Sequence, residues 1–174
     1  MTTTPHPGPG SDPAIAFIPA SSAIGSRVRI DLLAKSPLPP ERVLEAAGRD
    51  FSARRAQVWS NVKAAHLEVH ENGENFAEVT EGTWVLGLFW ERNRYEWSEP
   101  GSVRATVIDS NIFQPGSTWE LRADAWEGGS RVQMILNRGF RSGPKGRFAS
   151  AVHHTVGKFV WAMFLRRALA AVAK

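Results

Sequence analysis

The side chains of this sequence that could do chemistry are its histidines, the arginines of its apolar stretches, one tyrosine and a dense set of tryptophans; cysteine is absent. His66-Glu68-His70 has the residue types of a metal triplet. The segment reads as a strand, where residues two apart are separated by ~6.8 Å and the two histidines by ~13 Å, too far to share a zinc with bonds of ~2 Å. The triplet is therefore expected to be an exposed polar face. His153 and His154 are neighbours on a helix and point ~100° apart, which also rules out joint ligation, so a histidine at the edge of a cavity mouth is the use left to them. No Gly-x-Ser-x-Gly elbow supplies a serine nucleophile, and the glycines and Lys145 between Gly139 and Gly146 lack the spacing of a phosphate loop. Neither a metal nor a cofactor is expected.

What remains is aromatic. Trp84, Phe89, Trp90, Tyr95, Trp97 and Trp119 fall in apolar stretches, with Leu121 and Phe159 and with Met134 and Met163 as adaptable fillers, a composition that suits either a close-packed core or the wall of a pocket for a planar or flexible apolar ligand. Arg92 lies two residues after Trp90 and so shares its strand face. On an inner face its guanidinium would need a carboxylate or a ligand oxygen; on an outer face it would pair with a glutamate at the surface. Arg104 and Tyr95 are the secondary polar candidates, and if the protein is an enzyme Arg92 and Tyr95 carry the chemistry. Because the tryptophans sit in strands and not on a presented basic surface, nucleic acid is not an expected partner.

These side chains must be held by a single domain. With 174 residues and 43% hydrophobic content, folding can bury roughly 70% of the unfolded chain's surface. Residues 1–25, rich in Thr, Pro, Gly and Ser and lacking periodicity, read as a flexible leader, and residues 26–174 as the folded domain. No secretory signal or membrane-spanning run is recognisable, and the lack of cysteine fits a reducing compartment, so a cytoplasmic location is expected. Val28, Ile30 and Leu32 alternate with charged residues as a first strand, and prolines 37, 39 and 40 break it. Two short helices follow, one closed by Gly48, the other capped by Ser52 and carrying Ala56 and Trp59 inward. Asn72-Gly73, Pro100-Gly101, Pro115-Gly116 and Gly128-Gly129 then mark the turns of an antiparallel meander that includes one aromatic segment from Trp84 to Trp97. The chain ends in a single long helix, Gly143 to Ala173, capped by Ser142, with Pro144 in its first turn and Phe148, Val152, Val156, Phe159 and Met163 as its inward stripe. Eight of the 21 basic residues and none of the 17 acidic ones fall between Arg138 and Lys174. The basic helix could thus touch a membrane surface, or simply be a solvated face.

The order of these elements, with Asp50-Phe51-Ser52, Val58-Trp59, Trp90-Glu91-Arg92, Asp109-Ser110, Gly116-Ser117-Thr118-Trp119 and Gly128-Gly129-Ser130-Arg131-Val132, resembles the START-like or SRPBCC superfamily, and within it the polyketide cyclase/dehydrase-like branch. The resemblance implies an α+β helix-grip fold: a curved antiparallel sheet of about seven strands around one long C-terminal helix, with two short helices between strands 1 and 2. It also implies an apolar cavity between sheet and helix for a lipid, polyketide or other hydrophobic small molecule. Three functions fit: a non-enzymatic binder or carrier; a polyketide cyclase or dehydrase in which Arg92 stabilises oxyanion charge and Tyr95 or a water moves a proton; and an interaction module using the basic helix.

Overall fold

The structure, a computed structural model, describes residues 16–17 and 27–174. Alternation of apolar and polar residues with period two builds its sheet. The long strands are β2 (Arg27–Ser36), β3 (Leu67–Asn72), β4 (Phe76–Trp84), β5 (Leu88–Glu96), β6 (Ser102–Ser110), β7 (Thr118–Trp126) and β8 (Gly129–Gly139), and the two-residue β1 (Ala16–Phe17) pairs with Leu32 and Leu33 of β2. All pairs are antiparallel, in the order β1-β2-β8-β7-β6-β5-β4-β3. The rest of the expected leader lies outside the described residues.

As the alternation predicts, Val28, Ile30 and Leu32, then Trp119, Leu121 and Ala123, then Val132, Met134 and Leu136 are buried on the inner face. The chain passes from β2 to the far edge strand β3 through α1 (Pro40–Val43), which winds directly into a π-helical turn over Leu44–Arg49, and then through α2 (Arg55–Val58). Gly48 does not close the first helix. It lies within the π turn, where a Cβ would stand 2.8 Å from Val103 Cγ2, so glycine is what lets this turn lie on β6.

Further expectations need correction. The aromatic segment Trp84 to Trp97 is interrupted by a tight reversal at Val85-Leu86-Gly87, because Leu86 (φ 50°) and Gly87 (φ 109°) take the left-handed backbone of a hairpin turn. On α2, Arg55, Val58 and Trp59 are buried while Ala56 is only half-buried, a rotation of one residue from the expected face.

The C-terminal helix is also not continuous. It comprises α3 (Pro144–Thr155) and α4 (Gly157–Val172), joined at Val156, whose φ and ψ of −117° and 1° are not helical. Thr155 donates its hydroxyl to the Ala151 carbonyl one turn back, a contact that bends helices, and Gly157 follows immediately. A Cβ on Gly157 would come within 3.2 Å of Ile30 Cδ1, so the elbow seats directly on β2. Gly143, not Ser142, is the N-cap, and Pro144 takes the first turn as expected. Beyond the elbow the buried face is Gly157, Trp161, Ala162, Leu165, Ala168, Leu169 and Val172, whereas Val156 and Phe159 of the expected stripe face solvent.

Candidate functional site

A cavity of about 490 Å³ opens between the sheet and the elbow. Its floor is Glu81 to Val85 and Phe89 to Glu91 of the β4–β5 hairpin; its roof is Phe148, Ala149, Val152 and His153 of α3 with Val160, Trp161 and Phe164 of α4. Residues 60–63 after α2 and Ile112 and Phe113 after β6 close the sides. Volume and lining suit a small apolar ligand.

Beneath this chamber lies a small void of about 20 Å³, room for one water, surrounded by buried charge. Arg55, 2% exposed, donates from Nε to Glu81 (2.7 Å), from Nη2 to the Tyr95 hydroxyl (3.0 Å) and from Nη1 to the Ala47 carbonyl (2.8 Å). Tyr95 in turn donates its hydroxyl to the other Glu81 oxygen. Ala47 sits in the last turn of the π segment, where carbonyls lack intrahelical partners and attract cations; the Trp59 indole donates to the same oxygen at 2.7 Å. Phe51, Trp59 and Tyr95 surround the guanidinium with their rings. Burial opposes its charge, but Glu81 and Tyr95 outweigh burial and hold Arg55 firmly protonated. Burial, reinforced by Glu81, pushes the Tyr95 hydroxyl well above its ordinary range, so it keeps its proton.

A second buried pair flanks the first. Arg138, at the inner-facing end of β8, donates to Glu91 at 2.8 Å and lies over the Phe113 ring. Burial raises the Glu91 carboxyl above its ordinary value, with Arg138 pulling the other way. Asn61 Oδ1, Asn93 Oδ1 and Arg138 Nε, which border the void, have no side-chain or backbone partner.

On the roof, His153 is neutral: burial lowers its pKa from 6.5 to about 4. Its Nδ1 lies 2.8 Å from the Ala149 carbonyl, and its Nε2 accepts from the Trp161 indole at 3.1 Å. An indole only donates, so the proton of this tautomer is on Nδ1. The bond spans the elbow and ties α3 to α4.

Of the residues the sequence singled out, Phe89, Trp90 and the exposed rim residue Trp84 border the chamber, and Tyr95 and Trp119 border the void below it. The others do not reach either. Arg92 lies on the outer face of β5, because the inward set is Phe89, Glu91, Asn93 and Tyr95; it pairs with Glu78. Arg104 is exposed on the outer face of β6, Trp97 packs beside Phe51 at 6.3 Å, and Leu121 and Met134 are closed in the core. Phe159 is 70% exposed because the elbow turns it outward, and Met163 is half-buried away from the lining.

Comparison with solved structures settles the architecture. The aromatase/cyclase Zhui of Streptomyces sp. R1128 superposes with a TM-score of 0.67 at 14% identity, over 84% of this chain and 94% of that one. TTHA0849 of Thermus thermophilus gives 0.66 at 17%, over 84% and 97%, and a START superfamily protein of Mycobacterium smegmatis 0.58 at 9%, over 82% and 97%. This chain has the helix-grip fold that these structures share. At such identities the likeness concerns the fold alone, and neither a protein-family model nor a curated protein matches the sequence.

Within the helix-grip frame, sequence reasoning missed Arg55, Glu81, Glu91 and Arg138 as lining groups, while the histidine it set at the edge of a cavity is His153 in the roof. A signal existed for two of them. Ala77, Val79 and Glu81 alternate, as do Glu91, Asn93 and Tyr95, so a carboxylate on each strand continues a core-facing register and demands a buried cation.

Proposed function

We propose that the protein binds a hydrophobic small molecule in the helix-grip chamber and carries it unchanged. One observation carries this reading: the charged groups at the base of the apolar chamber are paired with one another. Arg55 spends its donors on Glu81, Tyr95 and Ala47, Tyr95 is held protonated, and both ring nitrogens of His153 are engaged. Such groups hold shape and exclude charged ligands; they are poorly placed to move protons at neutral pH. Native mass spectrometry of the protein as isolated, and after incubation with an apolar fluorescent ligand, tests the reading. Val152→Trp, which fills the roof, should abolish saturable uptake while leaving the far-UV spectrum and unfolding midpoint near wild type. Uptake unaffected by this substitution, or seen only on partial unfolding, would refute internal binding.

A second reading is favoured by Glu91 alone. Its carboxyl borders both chamber and void with its proton affinity raised by burial, the property of a general acid or base, and the Streptomyces neighbour is an aromatase/cyclase. Turnover of a thioester-linked poly-β-ketone by wild type, lost in Glu91→Gln, would replace carriage by cyclisation.

A further inference from the structure

We propose that the rim of the chamber is a docking surface for an anionic lipid bilayer, with the β4–β5 turn as the element that enters it. The inference does not depend on what the chamber holds. Large apolar side chains are concentrated at this rim: Trp84 is 67% exposed and Leu86 82%, with Val85 and Phe148 beside them. Trp84, Val85 and Phe148 also line the chamber, so the exposed patch runs without a break into its mouth. Lys145 Nζ donates to the Leu88 carbonyl at 2.8 Å and the Phe89 and Phe148 rings stand 6.2 Å apart, which joins the turn to α3 as one surface.

The turn residues point the same way. Hairpin-loop positions with positive φ favour glycine, asparagine or aspartate, yet this three-residue loop places leucine at φ 50° with its side chain in the open. Both the backbone and the solvation of Leu86 are unfavourable in water, and only the second is relieved when the tip meets an apolar medium. A tryptophan flanking the tip is well suited to the headgroup boundary.

Charge selects the kind of bilayer. The two carboxylates bordering the chamber, Glu81 and Glu91, are paired inside with Arg55 and Arg138. Lys63 lines the chamber, Lys145 reaches the turn, Arg147 is exposed next to Phe148 in α3, and the chain from Arg138 onward holds no acidic residue. Cations next to an apolar tip match an anionic lipid surface. An acidic protein would answer the charge, but it would also need a hollow to receive a protruding Trp-Val-Leu tip, which a bilayer does not.

The test is co-sedimentation of the full chain with phosphatidylcholine vesicles, with and without phosphatidylglycerol. Wild type should partition onto the anionic vesicles, less so as salt rises. Leu86→Asp should lower partitioning by about tenfold, and Arg147→Gln should weaken the preference for anionic lipid. Both positions are exposed, so thermal unfolding and uptake of a soluble apolar ligand should stay at wild-type values, separating docking from the function of the chamber. Wild type remaining in the supernatant, or Leu86→Asp partitioning like wild type, would overturn the proposal. So would a concentration-dependent dimer dissolved by Leu86→Asp, or capture by an acidic protein with no vesicle binding.

Discussion

Arg55→Met is the most informative single change in the interior. Methionine roughly conserves the stem but removes the donors held by Glu81, Tyr95 and the Ala47 carbonyl at 2.7, 3.0 and 2.8 Å. Ala47 retains the Trp59 indole, so the main consequence is a buried carboxylate whose remaining side-chain donor is Tyr95. Removing one partner of such a pair costs about 3–5 kcal/mol, a large share of the ~5–15 kcal/mol that holds a domain together. Arg55→Met/Glu81→Leu deletes both charges and leaves only the Tyr95 hydroxyl short of a partner, at about 1–3 kcal/mol. Urea unfolding at neutral pH should therefore rank the double variant as more stable than Arg55→Met alone. A single variant that loses less than about 1 kcal/mol, or a double variant worse than the single, would refute the view that Arg55 and Glu81 exist to neutralise each other.

Two other changes test the geometry. His153 has its pKa lowered from 6.5 to about 4, so its contribution to stability is complete above the ordinary histidine value and is lost as pH falls from about 6.5 to about 4. The loss amounts to about 3 kcal/mol, and because the raised pKa of Glu91 acts in the opposite direction, the measurement to make is the difference in unfolding free energy between wild type and His153→Gln across that window. The difference should shrink as pH falls. Arg92→Met, by contrast, should change stability by less than about 1 kcal/mol and leave uptake of every ligand untouched, since its side chain is 42% exposed and its partner Glu78 belongs to the outer face.

Much of the fold was legible because its signals are local. Turn pairs such as Pro100-Gly101 and Pro115-Gly116 end strands wherever they occur, and the alternations in β2, β7 and β8 have a single register that buries Val28, Trp119 and Met134. The site was less legible because its register competes with itself. On β5 the tryptophan and arginine at 90 and 92 resemble a pocket wall with an anchor, while the inward set begins with Phe89 and continues through Glu91 and Asn93, residues that look like surface until Arg55 and Arg138 arrive from elsewhere in the chain. A short helix gives too few residues to fix its rotation, so Ala56 was a reasonable inward choice and Arg55 the true one. The stripe from Phe148 to Met163 is sound only for an unbroken helix; Thr155-Val156-Gly157 contains the elbow but no proline to announce it.

That elbow separates two properties that a single straight helix would tie together. In a straight helix the girth of the space below is set by the bulk of the side chains hanging into it, so accepting a wider guest means trimming the lining and losing contacts. Here α3 and α4 act as two rigid rods meeting at Val156, braced by one hydrogen bond from Trp161 to His153. The span between the Phe148 end and the floor is then a matter of angle. A few substitutions at the joint, none of them touching a guest, are enough to open or narrow the space while Leu165, Ala168 and Leu169 keep the second rod fixed to the core. Selectivity for size can drift in such a chain without any change in the residues that a guest would meet.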